Sequence, residues 1–406
     1  KRLSGETGLK EIIRNEVKGT DDAVRCLQMR GEYLYVAEGR AGFRAYDIAS
    51  VANKGVSERI LTGPFSQLGH DTQVKSTNAT CMALATNQPI NPAKNTPEMR
   101  SMNQEQPFHP IYDYAFVTDS VEGLILVAIN TLADGEPRNN FLRRALTWNE
   151  GNILKGATHI TLGGHYAYVA ADAGVVVLDL NDPLKPRVMQ VLPTKGARAS
   201  ALQFRYLWVT DEDGVKLFDI TNARKIVPVP EATVPLSNAR RIYIARTYAY
   251  VAAKQDGLVI LNVTNPEKPT IYQKVTFGGL LNDAEDVIVG STNASLFAYV
   301  ADGRNGMKVL QLTSPASQPN YYGFSPAPKP ELIAWAKTPS PALAMSKGLD
   351  RDRGVDETGG QMAVFGRLGS RPFNREEMER FYRNRSGFLY RVSDKPTFAD
   401  WVPKKK

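Results

Sequence analysis

The chain has 406 residues, 42% hydrophobic and 23% charged, and its 50 Lys and Arg against 42 Asp and Glu give a formal charge of +8. This composition supports a large buried core and excludes a wholly disordered chain. No basic run interleaved with aromatics points to nucleic acid, no apolar stretch reaches the ~20 residues of a membrane-spanning helix, and two cysteines exclude a disulfide-dense scaffold.

The chain opens on Lys1 rather than Met, as removal of a secretory signal peptide or trimming would leave it. The run LKEIIRNEV at 9–17 reads as a strand, and residues 1–18 are expected to close a ring by pairing with the C-terminal end.

From Tyr33 onward one phrase recurs. It reads YLYVAEGRAGFRAYDI from Tyr33, YAFVTDSVEGLILVAI from Tyr114 and YAYVAADAGVVVLDL from Tyr166. It returns as YLWVTDEDGVKLFDI from Tyr206, YAYVAAKQDGLVILNV from Tyr248 and FAYVADGRNGMKVLQL from Phe297. The closest anchors stand about 40 residues apart, the size of a four-stranded propeller blade. In each copy an aromatic, β-branched run reads as a strand, a turn glycine follows (Gly42, Gly123, Gly174, Gly214, Gly257, Gly306), and a second apolar strand comes next. Asp47, Asp179, Asp219 and Asn262 then open the next turn through their side chains. An inner strand precedes each phrase, as in ATHITLGG at 157–164, and an outer strand follows it, as in PRVMQVL at 186–192. Six blades are therefore recognisable over 23–315.

Blade 2 carries the insertion TNQPINPAKNTPEMRSMNQEQPFHP at 86–110, rich in proline and without apolar periodicity. Loops of this length in a compact fold are functional or disordered. Met99, Met102, Phe108 and His109 in it are candidate partner contacts. After 315 the pattern weakens. PALAMSK at 341–347, QMAVFGRL at 361–368 and GFLYRVSD at 387–394 read as strands of a divergent seventh blade over 341–401. A short helix at about 375–385 is expected inside it, with Asn374 and Glu377 as a capping box and Ser386-Gly387 as its end. Most of the net positive charge lies in residues 346–406, which makes Arg367, Arg371, Arg380 and Arg383 a second candidate docking surface. The fold class expected is thus an all-β, seven-bladed propeller, one domain over 1–406, closed by the N-terminal strand and carrying a helix in its last blade.

Aligned on the repeat, the inner strands place Cys26, Cys81, His159, Ala199, Arg241, Asp286 and Ala344 at one level of the central channel. Cys26, Cys81, His159 and Asp286 could together hold a soft or borderline metal, although they sit on different blades around a wide opening. Equivalent positions on neighbouring strands also suit a Cys26–Cys81 disulfide, with two buried free thiols as the alternative. His165 falls in a hairpin turn and is expected in solvent, and His70 lies on the connection between blades 1 and 2. His109 could reach a partner's haem or metal. No Ser-His-Asp set, nucleophile elbow, phosphate loop or paired-carboxylate motif is present, so no catalytic, cofactor-binding or metal residue is assigned.

The consensus aromatic-x-aromatic-Val-Ala-Asp, Gly-Leu-x-Val-Leu-Asp-Ile and Asn-Pro-x-x-Pro resembles the LVIVD repeat family of bacterial and archaeal extracytoplasmic β-propellers, most closely at 165–186, 248–269 and 297–315. The resemblance implies a seven-bladed wheel in the periplasm or at the cell surface. Some members accompany multihaem c-type cytochromes, as does the haem-free propeller subunit of hydrazine synthase. It thus implies a non-catalytic scaffold that binds protein subunits, with haem carried by the partner and no cofactor on this chain. The other reading is an enzyme, or a metal- or small-ligand-binding propeller, working at the channel mouth.

Overall fold

The computed structural model describes residues 23–30, 33–47, 73–86, 88, 109–133, 141–292, 295–319, 325–346, 367–368 and 371–372. They form six antiparallel four-stranded blades. Blade 1 is Cys26–Arg30, Tyr33–Ala37, Phe43–Asp47 and Gln73–Val74; blade 2 is Ala79–Leu84, Tyr114–Asp119, Gly123–Ala128 and Arg143–Trp148. Blade 3 is His159–Gly163, Tyr166–Ala171, Gly174–Asp179 and Arg187–Leu192. Blade 4 is Ala199–Gln203, Tyr206–Thr210, Gly214–Asp219 and an outer edge in two pieces, Val227–Pro228 and Val234–Pro235, both paired to its third strand. Prolines 228, 230 and 235 lack the N–H that an unbroken edge ladder would use. Blade 5 is Ile242–Ala245, Tyr248–Ala252, Leu258–Asn262 and Thr270–Val275; blade 6 is Asp286–Thr292, Ser295–Ala301, Met307–Thr313 and Glu331–Ala336.

Each strand faces two neighbours, which is why the middle strands read as unbroken apolar runs. In GLILVA, Leu124 and Leu126 pack toward blade 3 while Ile125 and Val127 pack toward blade 1. Five such apolar clusters lie between consecutive blades from 1 to 6. A register shift recurs between the third and outer strands at Leu126/Val127, Val177/Leu178, Ile260/Leu261 and Val309/Leu310. Bulges of this kind add twist at the blade edge.

The six turn glycines have φ between 68° and 142°. At Gly174 a Cβ would stand 2.4 Å from the Leu192 carbonyl oxygen, so both the left-handed backbone and the close outer strand require glycine. The Asp and Asn turns form as read: Asp179, Asp219 and Asn262 accept the backbone N–H two residues on.

The seven-bladed, helix-bearing expectation is corrected by this architecture: the described residues form six blades and contain no α-helix. The stretch 341–347 was expected as a seventh inner strand. Instead Ala342 makes an isolated bridge to Gly303, and Pro339 and Pro341 have no N–H to extend it. Residues 341–346 spend their polar groups elsewhere, joining blade 6 to blade 1. The Met345 N–H donates to Asp286 Oδ2 at 2.9 Å, and Ser346 Oγ accepts from the Met29 N–H at 2.9 Å. Within the expected second strand at 361–368, the described residues Arg367–Leu368 pair with Arg371–Pro372. The closing strand at 1–18 and the helix at 375–385 lie outside the described residues.

Candidate functional site

The two ends of the wheel differ in chemistry. Inner strands start at the end where the glycine hairpins turn, and the pairing confirms that the aligned positions share one level. Cys26, Cys81, His159, Ala199 and Asp286 face Ala37, Thr118, Ala170, Thr210 and Ala301, each the fifth residue counted from the aromatic anchor of its repeat. Arg241 sits opposite Ala252 in the same way.

At this level Cys26 and Cys81 are joined by a disulfide, with their Cα atoms 4.8 Å apart, tying blade 1 to blade 2. Arg241 of blade 5 extends to blade 2, where Nη1 approaches Cys81 Sγ at 3.6 Å. The Asp286 carboxylate accepts the N–H of Val287 at 2.8 Å through Oδ1 and that of Met345 at 2.9 Å through Oδ2. Burial pushes Asp286 above the ordinary aspartate range, against the pull of Arg241 and the two N–H groups. Burial likewise draws Arg241 below the ordinary arginine value, against Asp286 and Glu285. The His159 Nδ1 accepts the Ser200 N–H at 3.3 Å, which leaves its Nε2 as the proton-bearing nitrogen of the neutral ring. Ser200 and Thr161 hydroxyls bond each other at 2.9 Å beside it. The four residues read as a possible metal set are therefore level but chemically committed: the sulfurs are bonded to each other, and His159 and Asp286 hold backbone donors. Among the described residues no three His, Cys, Asp or Glu side chains gather as a metal-binding group.

Around this mouth run buried charge pairs at matching blade positions. Glu38 accepts from the Tyr46 hydroxyl at 2.5 Å and pairs with Arg44 at 3.5 Å, Asp211 pairs with Lys216 at 2.6 Å, and Asp302 with Lys308 at 3.6 Å. Asp211 and Asp302 also accept turn N–H groups, at 2.9 Å from Asp213 and 2.8 Å from Asp283. Their chemistry is that of hairpin fasteners.

The opposite end carries the turns between inner and second strands. Gly164 there has φ 64°, and the equivalent residues Phe204 and Arg246 take φ 52° and 58°. Phe204 is 95% exposed, the most exposed of the large apolar side chains described. Arg205 beside it stacks over the Tyr206 ring at 5.0 Å and pairs with Glu267 at 3.3 Å. Sequence reasoning missed Phe204. The signal was available: aligned two residues before the anchor, Phe204 stands where blade 3 has Gly164.

His109 and His165 meet at this end between blades 2 and 3, their rings stacked 6.0 Å apart. His109 is 4% exposed and its Nδ1 accepts the Ile111 N–H at 3.1 Å, so its ring is packed inside rather than displayed to a partner. His165 is also packed away, against the Tyr166 ring at 4.2 Å and with Nε2 3.9 Å from Asp179, contrary to the solvated turn expected. His70, Met99, Met102, Phe108, Arg380 and Arg383 lie outside the described residues, as do the side chains of Arg367 and Arg371.

These features define a repeat-built β-propeller. Residues 156–194, 237–276 and 283–323 match the LVIVD repeat, so the chain carries LVIVD repeats in its blades 3, 5 and 6. No curated protein sequence matches the chain. Among solved structures it is similar to the Cps50 (Swd1) β-propeller domain of Myceliophteria thermophila, at 12% identity and TM-score 0.45, covering 77% of this chain and 87% of that one. It is also similar to a suggested 6-phosphogluconolactonase of Bacteroides fragilis, at 16% identity and TM-score 0.42 over 61% of this chain and 68% of that one. The computationally designed Ika8 protein gives 11% identity and TM-score 0.40 over 73% and 85%. Among the described residues no helix is long and apolar enough to cross a membrane.

Proposed function

We propose that this propeller is a non-catalytic scaffold of an extracytoplasmic complex, and that it docks a redox partner of the multihaem cytochrome c kind through the end that carries Phe204. The observation that carries the docking surface is Phe204 itself. A phenylalanine in left-handed backbone costs about 1–2 kcal/mol, and full exposure of its ring returns nothing in the isolated chain. Strain kept at an exposed aromatic is the pattern of an interface anchor, and the neighbouring Arg205 and Arg246 supply the residue type enriched at such surfaces. The Cys26–Cys81 bond supports an oxidising compartment. The haem-bearing partner class rests on the resemblance to propellers that accompany cytochromes.

The experiment is capture from the native extracytoplasmic fraction on immobilised wild type and on Phe204→Gly, with bound haem measured by pyridine haemochrome absorbance. Haem retained by the wild type and lost on the variant is expected. Equal haem on both would remove Phe204 from the dock, and absence of haem on both would sink the redox partner.

A further inference from the structure

The channel mouth at the disulfide end holds two opposite charges that do not meet. Arg241 and Asp286 feel each other electrostatically, yet they form no direct ion pair; the guanidinium's hydrogen-bond partner is the Cys81 sulfur at 3.6 Å. A disulfide sulfur is a weak acceptor, and among the described residues it is the one hydrogen-bond acceptor that the guanidinium meets. Asp286 is 9% exposed and is held by two backbone N–H groups, which leave further lone pairs on each oxygen. Nearby Glu285 acts on Arg241 only at a distance, because its carboxylate is held in direct contact by Lys254.

Both groups are displaced toward their neutral forms by burial. Among the described residues the guanidinium contacts a sulfur and the carboxylate two backbone N–H groups, so neither has an opposite charge in direct contact. A simple anion would satisfy Arg241 and worsen Asp286, and a simple cation would do the reverse. A ligand that carries both charges relieves both. From this juxtaposition we propose that the channel mouth is a binding site for a small zwitterion of the α-amino-acid class, its carboxylate on the Arg241 guanidinium and its ammonium on the Asp286 carboxylate. The His159 Nε2–H stands at the same level of the inner strands as a further polar group of the mouth. The site is at the opposite end from Phe204 and stands or falls independently of partner docking.

The test uses the full, oxidised chain in isothermal titration with a panel of L-amino acids, and with acetate and methylamine as half-ligands. Losing one of two charge contacts should weaken binding at least about tenfold, so each half-ligand should fall that far below the best amino acid. Asp286→Asn and Arg241→Lys should each weaken the best amino acid by about tenfold or more. Should a variant fail to fold, the half-ligand comparison on the wild type still decides. Acetate binding as tightly as the amino acids would overturn the proposal in favour of a plain anion site. No heat with any member up to about 10 mM, or undiminished binding by Arg241→Lys and Asp286→Asn, would also overturn it.

Discussion

Reduction of the Cys26–Cys81 bond should lower the melting temperature by about 5 °C while leaving the blades folded. The cysteines are 55 residues apart in sequence and lie on the inner strands of blades 1 and 2. On the chain-entropy account, a loop of that length removes about 4 kcal/mol of unfolded-state freedom. Unfolding entropy of roughly 2 cal/mol/K per residue gives about 0.8 kcal/mol/K for a chain of this size, which converts the loss into the stated shift. Reduction is preferable to substitution, because Cys26 and Cys81 are both buried and truncating them would add cavity costs of its own. The assay is scanning calorimetry with and without reductant, paired with thiol titration in denaturant to prove complete reduction. A midpoint that moves by less than about 1 °C after full reduction would refute the loop-closure argument. Free thiols in the unreduced, denatured protein would refute the bond itself.

Phe204→Gly should raise stability by about 1 kcal/mol, read as a higher urea midpoint, because glycine accepts the left-handed turn without a Cβ penalty. Gly174→Ala and Gly151→Ala both place a Cβ in left-handed backbone, but only the first drives it to 2.4 Å from a carbonyl oxygen while the second meets nothing within 4 Å. The first should therefore cost several-fold more than the ~1 kcal/mol of the second, and equal losses would show that the outer-strand approach is not tight. Glu122 lies below the ordinary glutamate range: burial pushes it up, but the Arg144 guanidinium and the Thr77 N–H and hydroxyl together outweigh burial. A folded value below the unfolded one gives stability that is present above about pH 4.3 and is lost as pH falls through the lowered value. Glu122→Gln should flatten that acid limb of the melting curve, and an unchanged limb would assign it to other carboxylates.

The blade, its repeat and its turns were legible in the sequence because they depend on local chemistry. Alternating faces that are both apolar, glycine at the eighth or ninth position past an aromatic anchor, and Asp or Asn five residues later each act within one hairpin, and Asp179, Asp219 and Asn262 turned as read. The level of Cys26, Cys81, His159, Arg241 and Asp286 was legible for the same reason, since an unbroken repeat carries register from blade to blade. The number of blades was not. PALAMSK has the composition of an inner strand, but whether it builds a ladder depends on neighbours far away in sequence, and its Met345 N–H went to Asp286 while its Ser346 hydroxyl oxygen accepts the Met29 N–H. The inward packing of His109 and His165 was likewise decided between blades 2 and 3, where two turns distant in sequence close on each other. Above all, the tertiary structure decided that Arg241 reaches to a sulfur on blade 2 without pairing with Asp286. Sequence order determines which residues share a level of the channel, but only the packing of the blades against one another fixes how far each side chain must reach across it.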